Sequence, residues 1–133
     1  MPRSINLSAV IVLALAAAAC GKTPADKAPA VAAADGPAKP AAFGQCAACH
    51  SVEPGANGIG PSLAGVVGRK AGSLPGFVYS AAMKADGKVW DEATLDAFLT
   101  SPAKAIPGTK MTFAGQGDPA KRKAVIDYLK TLK

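Results

Sequence analysis

Cys46-Ala47-Ala48-Cys49-His50 decides how the rest of this chain is read. On a helical turn, residues three apart point to one side, so both thiols can face a single flat object. His50 sits one step further along and can reach the centre of that object. A porphyrin iron fits this arrangement. The cysteines take thioether bonds to its vinyl groups and the imidazole takes the metal, which is the spacing of c-type haem attachment. The plainer readings of C-x-x-C are a zinc site or a redox dithiol. Zinc wants four soft or imidazole ligands, but the chain holds one histidine and one further cysteine, Cys20, far away beside an apolar leader. A thioredoxin-like dithiol needs a βαβ pattern around it, and none is visible.

A length of 133 residues allows one small domain with extra sequence at the N-terminus. Half the residues are apolar, but many are alanines in the first third, and the aromatics are four Phe, two Tyr and one Trp. A covalent haem supplies the large apolar centre that such side chains alone cannot. The formal charge of +6 suits acidic protein partners, anionic lipid or nucleic acid. Nucleic acid is the weakest of the three, because no interleaved basic–aromatic groove or zinc finger is present. With Cys46 and Cys49 assigned to haem, no disulfide framework remains.

Residues 1–20 open with Met1-Pro2-Arg3 and run apolar from Ile5 to Ala19. That length and the small-residue end resemble an export signal more than a membrane-spanning helix, which needs about 20 apolar residues. Export implies an oxidising, extra-cytoplasmic destination. The stretch Ala17-Ala18-Ala19-Cys20-Gly21 resembles a bacterial lipoprotein box, although Ala17 stands where leucine is usual. The resemblance implies lipid on Cys20 and a place on the periplasmic side of the inner membrane, held through the N-terminus. The alternatives are cleavage after an A-x-A, giving a soluble periplasmic protein, or an uncleaved leader. Residues 21–42 carry Pro24, Pro29, Pro37 and Pro40 among alanines and scattered charges, with Val31 as the sole bulky apolar residue. Nothing there packs a core, so 21–42 reads as a flexible tether.

The folded domain is expected over 43–133. A short helix carries Phe43 and the pentapeptide, and the glycines and prolines between Gly55 and Gly76 mark loops that let backbone approach a flat cofactor closely. Ser80 caps a two-turn helix that Gly87 stops. Asp91 through Thr100 is a better helix, with Leu95, Phe98 and Leu99 on one face, and Ser101-Pro102 caps a short turn after it. Asp118-Pro119 opens the last helix, whose buried stripe is Val125, Ile126 and Leu129 with Tyr128 beside it. No strand of convincing length appears, so the domain is all-α. A six-coordinate haem needs a second axial ligand, usually a methionine thioether where no second histidine exists. Met83 sits mid-helix, where core packing is the better expectation. Met111 follows Ile106-Pro107-Gly108-Thr109-Lys110 on a loop and is the ligand chosen.

Taken together, Cys46-Ala-Ala-Cys49-His50, Gly60-Pro61-Ser-Leu63, Gly68-Arg69-Lys70-Ala-Gly72, Pro75-Gly76-Phe77-Val78-Tyr79, Trp90 and Ile106-Pro-Gly-Thr-Lys-Met111-Thr-Phe113-Ala-Gly115 resemble a class I cytochrome c over residues 43–132. The resemblance implies short helices and loops wrapped around one covalent haem c, ligated by His50 and Met111. It implies that the Pro61 carbonyl accepts the other ring N–H of His50, and that Arg69, Tyr79, Trp90 and Thr109 hydrogen-bond the haem propionates. Phe113 closes the exposed haem edge. Lys104 and Lys110 match lysines of a docking ring, with Lys121 and Lys123 as further contributors, while Gln45 stands where another such lysine often lies. Three departures are visible. Phe98 replaces a tyrosine that reaches the methionine sulfur, Met83 replaces an asparagine that helps hold a buried water, and Pro37 and Pro40 shorten the first helix, which weakens its packing on the last one.

The expected function is a one-electron carrier shuttling between membrane respiratory or photosynthetic complexes, not an enzyme, with no small-molecule substrate. The resemblance implies a quinol-oxidising cytochrome bc complex as donor and a terminal oxidase or other reductase as acceptor. A haem enzyme or gas sensor needs a vacant sixth position, which Met111 fills. A haem-bearing assembly subunit is the other alternative, separable by redox turnover.

Overall fold

The computed structural model describes residues 38–133. The leader, Cys20 and the tether as far as residue 37 lie outside the described residues. A 3-10 turn, Ala41–Phe43, runs into α1 (Gly44–Ala47); then come α2 (Ala81–Asp86), α3 (Glu92–Thr100), α4 (Pro102–Ala105) and α5 (Pro119–Leu129). The fold is helical, and the only β feature among the described residues is an isolated antiparallel bridge between Lys70 and Val89.

The expected stops and starts are observed. Ser80 Oγ accepts from Met83 N at 3.1 Å, and Gly87 ends α2 at φ 66°, a left-handed turn that a side chain would strain. Asp91 caps α3 by accepting from Thr94 N at 2.7 Å. Asp118 caps α5 by accepting from Ala120 N and Lys121 N, with Pro119 at the first helical position. The antiparallel bridge closes the long loop that contains α2: Ala71 N donates to Lys88 O at 2.7 Å and Trp90 N to Arg69 O at 2.9 Å.

Helix α5 packs on α3 and on the 3-10 turn. Val125, Ile126 and Leu129 are all buried, as are Leu95, Phe98 and Leu99. Phe43 is 1% exposed and meets Tyr128 edge to face, with ring centroids 4.8 Å apart. Such a pair contributes about 0.5–1.5 kcal/mol beyond its burial. The weak packing expected of a proline-shortened first helix is thus offset by one aromatic contact. Residues of the expected tether also take part. Pro40 O accepts from Phe43 N at 2.9 Å, and Lys39 Nζ lies 5.4 Å from the centre of the Phe43 ring.

One local expectation is corrected. Helix α1 ends at Ala47, so Cys49 and His50 lie on the turn after it rather than on the helix. The physical reason is a competing acceptor and donor pair. Both Cys49 N and His50 N donate to Cys46 O, at 3.1 and 2.9 Å, and Cys49 O accepts from Gly60 N across the loop at 2.9 Å. The carbonyl that would continue the helix is spent on a distant strand of loop.

Candidate functional site

The core is hollow. A cavity of about 360 Å³ opens between α2, α3, α5 and the loops, and its walls include Phe43, Met83, Trp90, Leu95, Phe98, Leu99, Val125 and Leu129. Cys46, Cys49 and His50 line it from the turn after α1, Pro61 and Arg69 from the loop that follows, and Tyr79 and Trp90 from either side of α2. Thr109, Lys110, Met111 and Phe113 line it from the segment between α4 and α5. All ten residues expected at the haem from sequence therefore meet at one cavity. Lys104 does not; it is exposed on α4.

His50 is held from two sides. Its Nδ1 lies 2.7 Å from Pro61 O. A carbonyl can only accept, so Nδ1 carries the proton and Nε2 keeps its lone pair for a metal. Gly60, which sequence reading placed only in a loop, presses against the ring. A Cβ there would sit 2.6 Å from Nδ1 and 2.8 Å from Nε2 of His50. The close backbone approach expected of this glycine-rich loop is realised, but against the imidazole. A glycine directly before Pro61 is the sequence signal that could have shown it.

Cys46 and Cys49 are both free and half-buried. Burial pushes the Cys46 thiol up. Among the described residues no three His, Cys, Asp or Glu side chains converge to hold a metal ion, so the zinc reading lacks its ligands. Arg69 donates from Nη1 to Ala64 O at 3.0 Å and from Nη2 to Ser62 O at 2.9 Å. Those bonds fix the guanidinium on the cavity wall and leave its other N–H groups for an acid. Burial pulls the Arg69 guanidinium down and pushes the Tyr79 phenol up, the positive Arg69 partly offsetting the latter. Met83 and Met111 both face the cavity; Met83 is buried on α2, whereas Met111 is half-buried on a loop. Trp90 and Phe98 pack with centroids 4.9 Å apart.

The donor set fits a haem c: two thiols on one turn, an imidazole whose tautomer is set, a thioether on a loop, apolar walls, and polar groups for carboxylates. The family model for cytochrome c matches residues 38–133. The chain belongs to the cytochrome c family. It is similar to cytochrome c2 iso-2 of Magnetospirillum molischianum, 58% identical over 94 residues, a match covering 71% of this chain and 97% of that protein. Cytochrome c2 of Rhodoblastus acidophilus is 53% identical over 92 residues, covering 68% and 86%. The solved structure of cytochrome cH from Methylobacterium extorquens matches with a TM-score of 0.65 and 50% identity, covering 68% of this chain and 91% of that one. As a cytochrome c, the chain carries one covalently bound haem c, for which Cys46 and Cys49 supply the attachment motif, and it is an electron-transfer protein, not an enzyme.

The expected docking surface is thinner than the count of lysines suggests. Lys121 pairs with Asp118 at 3.9 Å, Lys123 with Asp127 at 2.6 Å, and Lys130 with Glu92 at 2.5 Å. Lys121 and Lys123 thus each lie beside a carboxylate of α5 or its cap, in solvent-exposed pairs. Lys104 and Lys110 are exposed and have no ion pair among the described residues. The rim of the cavity also carries Ile59 and Val78, 82% and 75% exposed. Among the described residues no helix is long and apolar enough to cross a membrane.

Proposed function

We propose that the chain carries single electrons on a haem whose iron His50 and Met111 would hold. The carrying observation is that an imidazole fixed by Pro61 and a loop-borne thioether line one apolar cavity. When bound, the haem supplies an iron that alternates between ferrous and ferric. His50 keeps its donor nitrogen aimed by the Pro61 bond, and the apolar walls exclude water. Arg69, Tyr79, Trp90 and Thr109 offer donors to the propionates, and Phe113 covers the edge. The test is the ferric near-infrared iron–sulfur band, which disappears in Met111→Ala and survives in Met83→Leu if the assignment is right.

Lys104 and Lys110 steer acidic partners to the Phe113 edge. The donor is a quinol-oxidising cytochrome bc complex and the acceptor a terminal oxidase or other reductase. Replacing both lysines with glutamine flattens the ionic-strength dependence of oxidation by membranes. Residues 1–20 act as an export leader and 21–37 as a spacer ahead of the domain. We favour the soluble periplasmic form over a lipid-held one, on the likeness to proteins named cytochrome c2 that the match covers over 97% and 86% of their length. A lipid on Cys20 rests on the Ala17–Gly21 stretch alone, and mass spectrometry of the mature N-terminus decides it.

A further inference from the structure

Met111 sits in the segment between α4 and α5, which has no regular secondary structure of its own. Its entrance is pinned by Thr109 N donating to Ile106 O at 3.0 Å and by Gly108 packing on Ala82 of α2. Its exit is pinned by one side chain from α5. Arg122, 11% exposed, donates from Nε to Asp96 Oδ1 at 2.7 Å and from Nη2 to Asp96 Oδ2 at 3.4 Å. The same guanidinium donates from Nη1 to Gln116 O at 2.8 Å and Gly117 O at 3.2 Å. Gln116 N donates to Leu99 O at 2.8 Å, and Gly115 lies against Thr100 O so closely that a side chain would collide. Arg122 also lines, with Cys46, Phe113 and Val125, a small pocket of about 10 Å³, at the lower limit for a water.

We propose that Arg122 is a positioning residue for the Met111 sulfur, latching the exit of the ligand loop to α5. This rests on Met111 being the ligand. The Asp96 carboxylate is 45% exposed, so solvent screens that half of the latch. The two carbonyl bonds are the half that holds the loop, and a forked guanidinium can make them while also holding Asp96. Lysine is a point charge on a flexible stem; it can pair with Asp96 but cannot span both. Asn at 96 leaves the carbonyl bonds in place.

The experiment uses full-length holoprotein in three forms, Arg122→Lys, Asp96→Asn and Met111→Ala, beside the parent. It reads the ferric iron–sulfur band, the rate of carbon monoxide binding to the ferrous protein, and global unfolding by urea. Arg122→Lys should bind carbon monoxide about tenfold faster, the effect of losing hydrogen bonds of ordinary net strength, with a weakened band; Asp96→Asn should change the rate less than about twofold. Equal acceleration in both, or rates that merely track global stability, would overturn the latch. A band that persists in Met111→Ala would overturn the ligand assignment instead, a separate result. Arg122→Gln, which keeps a donor without the charge, supplies the same comparison if the lysine form does not accumulate.

Discussion

Gly60→Ala is the sharpest test of how His50 is held. The added methyl would sit 2.6 Å from Nδ1 and 2.8 Å from Nε2, where carbon contacts normally settle near 3.5–4.0 Å, so ring or loop must yield by about 1 Å. The ring is tied to Pro61 O at 2.7 Å and follows the haem-bound Cys49 in sequence. The loop is tied by Gly60 N to Cys49 O and by Gly58 N to Gly60 O, both at 2.9 Å. Overpacking of this kind costs about 1–3 kcal/mol, and losing the Nδ1 bond adds about 0.5–1.5 kcal/mol. The sum, about 1.5–4.5 kcal/mol, lowers the melting temperature of a domain this size by about 6–36 °C. Gly44→Ala is the control. Gly44 is helical at φ −53° with nothing within 4 Å of a Cβ, so that change should stabilise by about 0.5–1 kcal/mol. Thermal melts of the ferric holoproteins, followed by circular dichroism, give both numbers. If Gly60→Ala melted within about 3 °C of the parent, the glycine would not be the backstop of the ring.

Phe98→Tyr should raise the reduction potential, because Phe98 lines the cavity with Met111 and a hydroxyl there withdraws electron density from sulfur; a titration showing no rise refutes this. Asp91→Asn should flatten the acid limb of stability. The Thr94 N–H holds the Asp91 carboxyl below its ordinary value, so the unfolded chain binds a proton first. That contribution is complete above the unfolded pKa near 4 and is lost as pH falls through the lower folded value. Urea midpoints between pH 3 and 6 should therefore fall less steeply in the variant, whose amide oxygen still caps α3. Gln45→Lys, at an exposed position on the cavity wall, should raise the oxidation rate by partner membranes at low salt and steepen its salt dependence.

What could be read in advance was local in sequence. Ser80 and Gly87 bracket α2, Asp91 opens α3, and Asp118-Pro119 opens α5, because a cap needs only its own first turn to be satisfied. The loop position of Met111 and the helical position of Met83 were readable for a similar reason: Pro107-Gly108 marks a loop without any knowledge of what surrounds it. The early end of α1 was not readable, since it depends on Gly60 N finding Cys49 O across the chain. Nor was the neutralisation of Lys123 by Asp127, although their spacing of four on a helix gave a hint. Arg122 gave none. Its partners lie at Asp96, Gln116 and Gly117, and no periodicity in α5 distinguishes it from the lysines beside it.

The harder distinction was between core and site, and here the two coincide. Phe43, Val66, Met83, Trp90, Leu95, Phe98, Leu99, Val125 and Leu129 are buried core residues, and each also lines the cavity. Helical periodicity says which face of α3 or α5 turns inward, but inward here means toward a cofactor that the sequence does not spell out. That is why Trp90 and Tyr79 look like ordinary packing aromatics until the family resemblance assigns them to haem, and why a chain with so few aromatics folds at all. The covalent attachment at Cys46 and Cys49 makes the missing part of the core a fixture of the chain. Met83 and Phe98, which line the cavity, then belong to the solvent of the iron as much as to protein packing. Their effects belong on the reduction potential before they belong on stability.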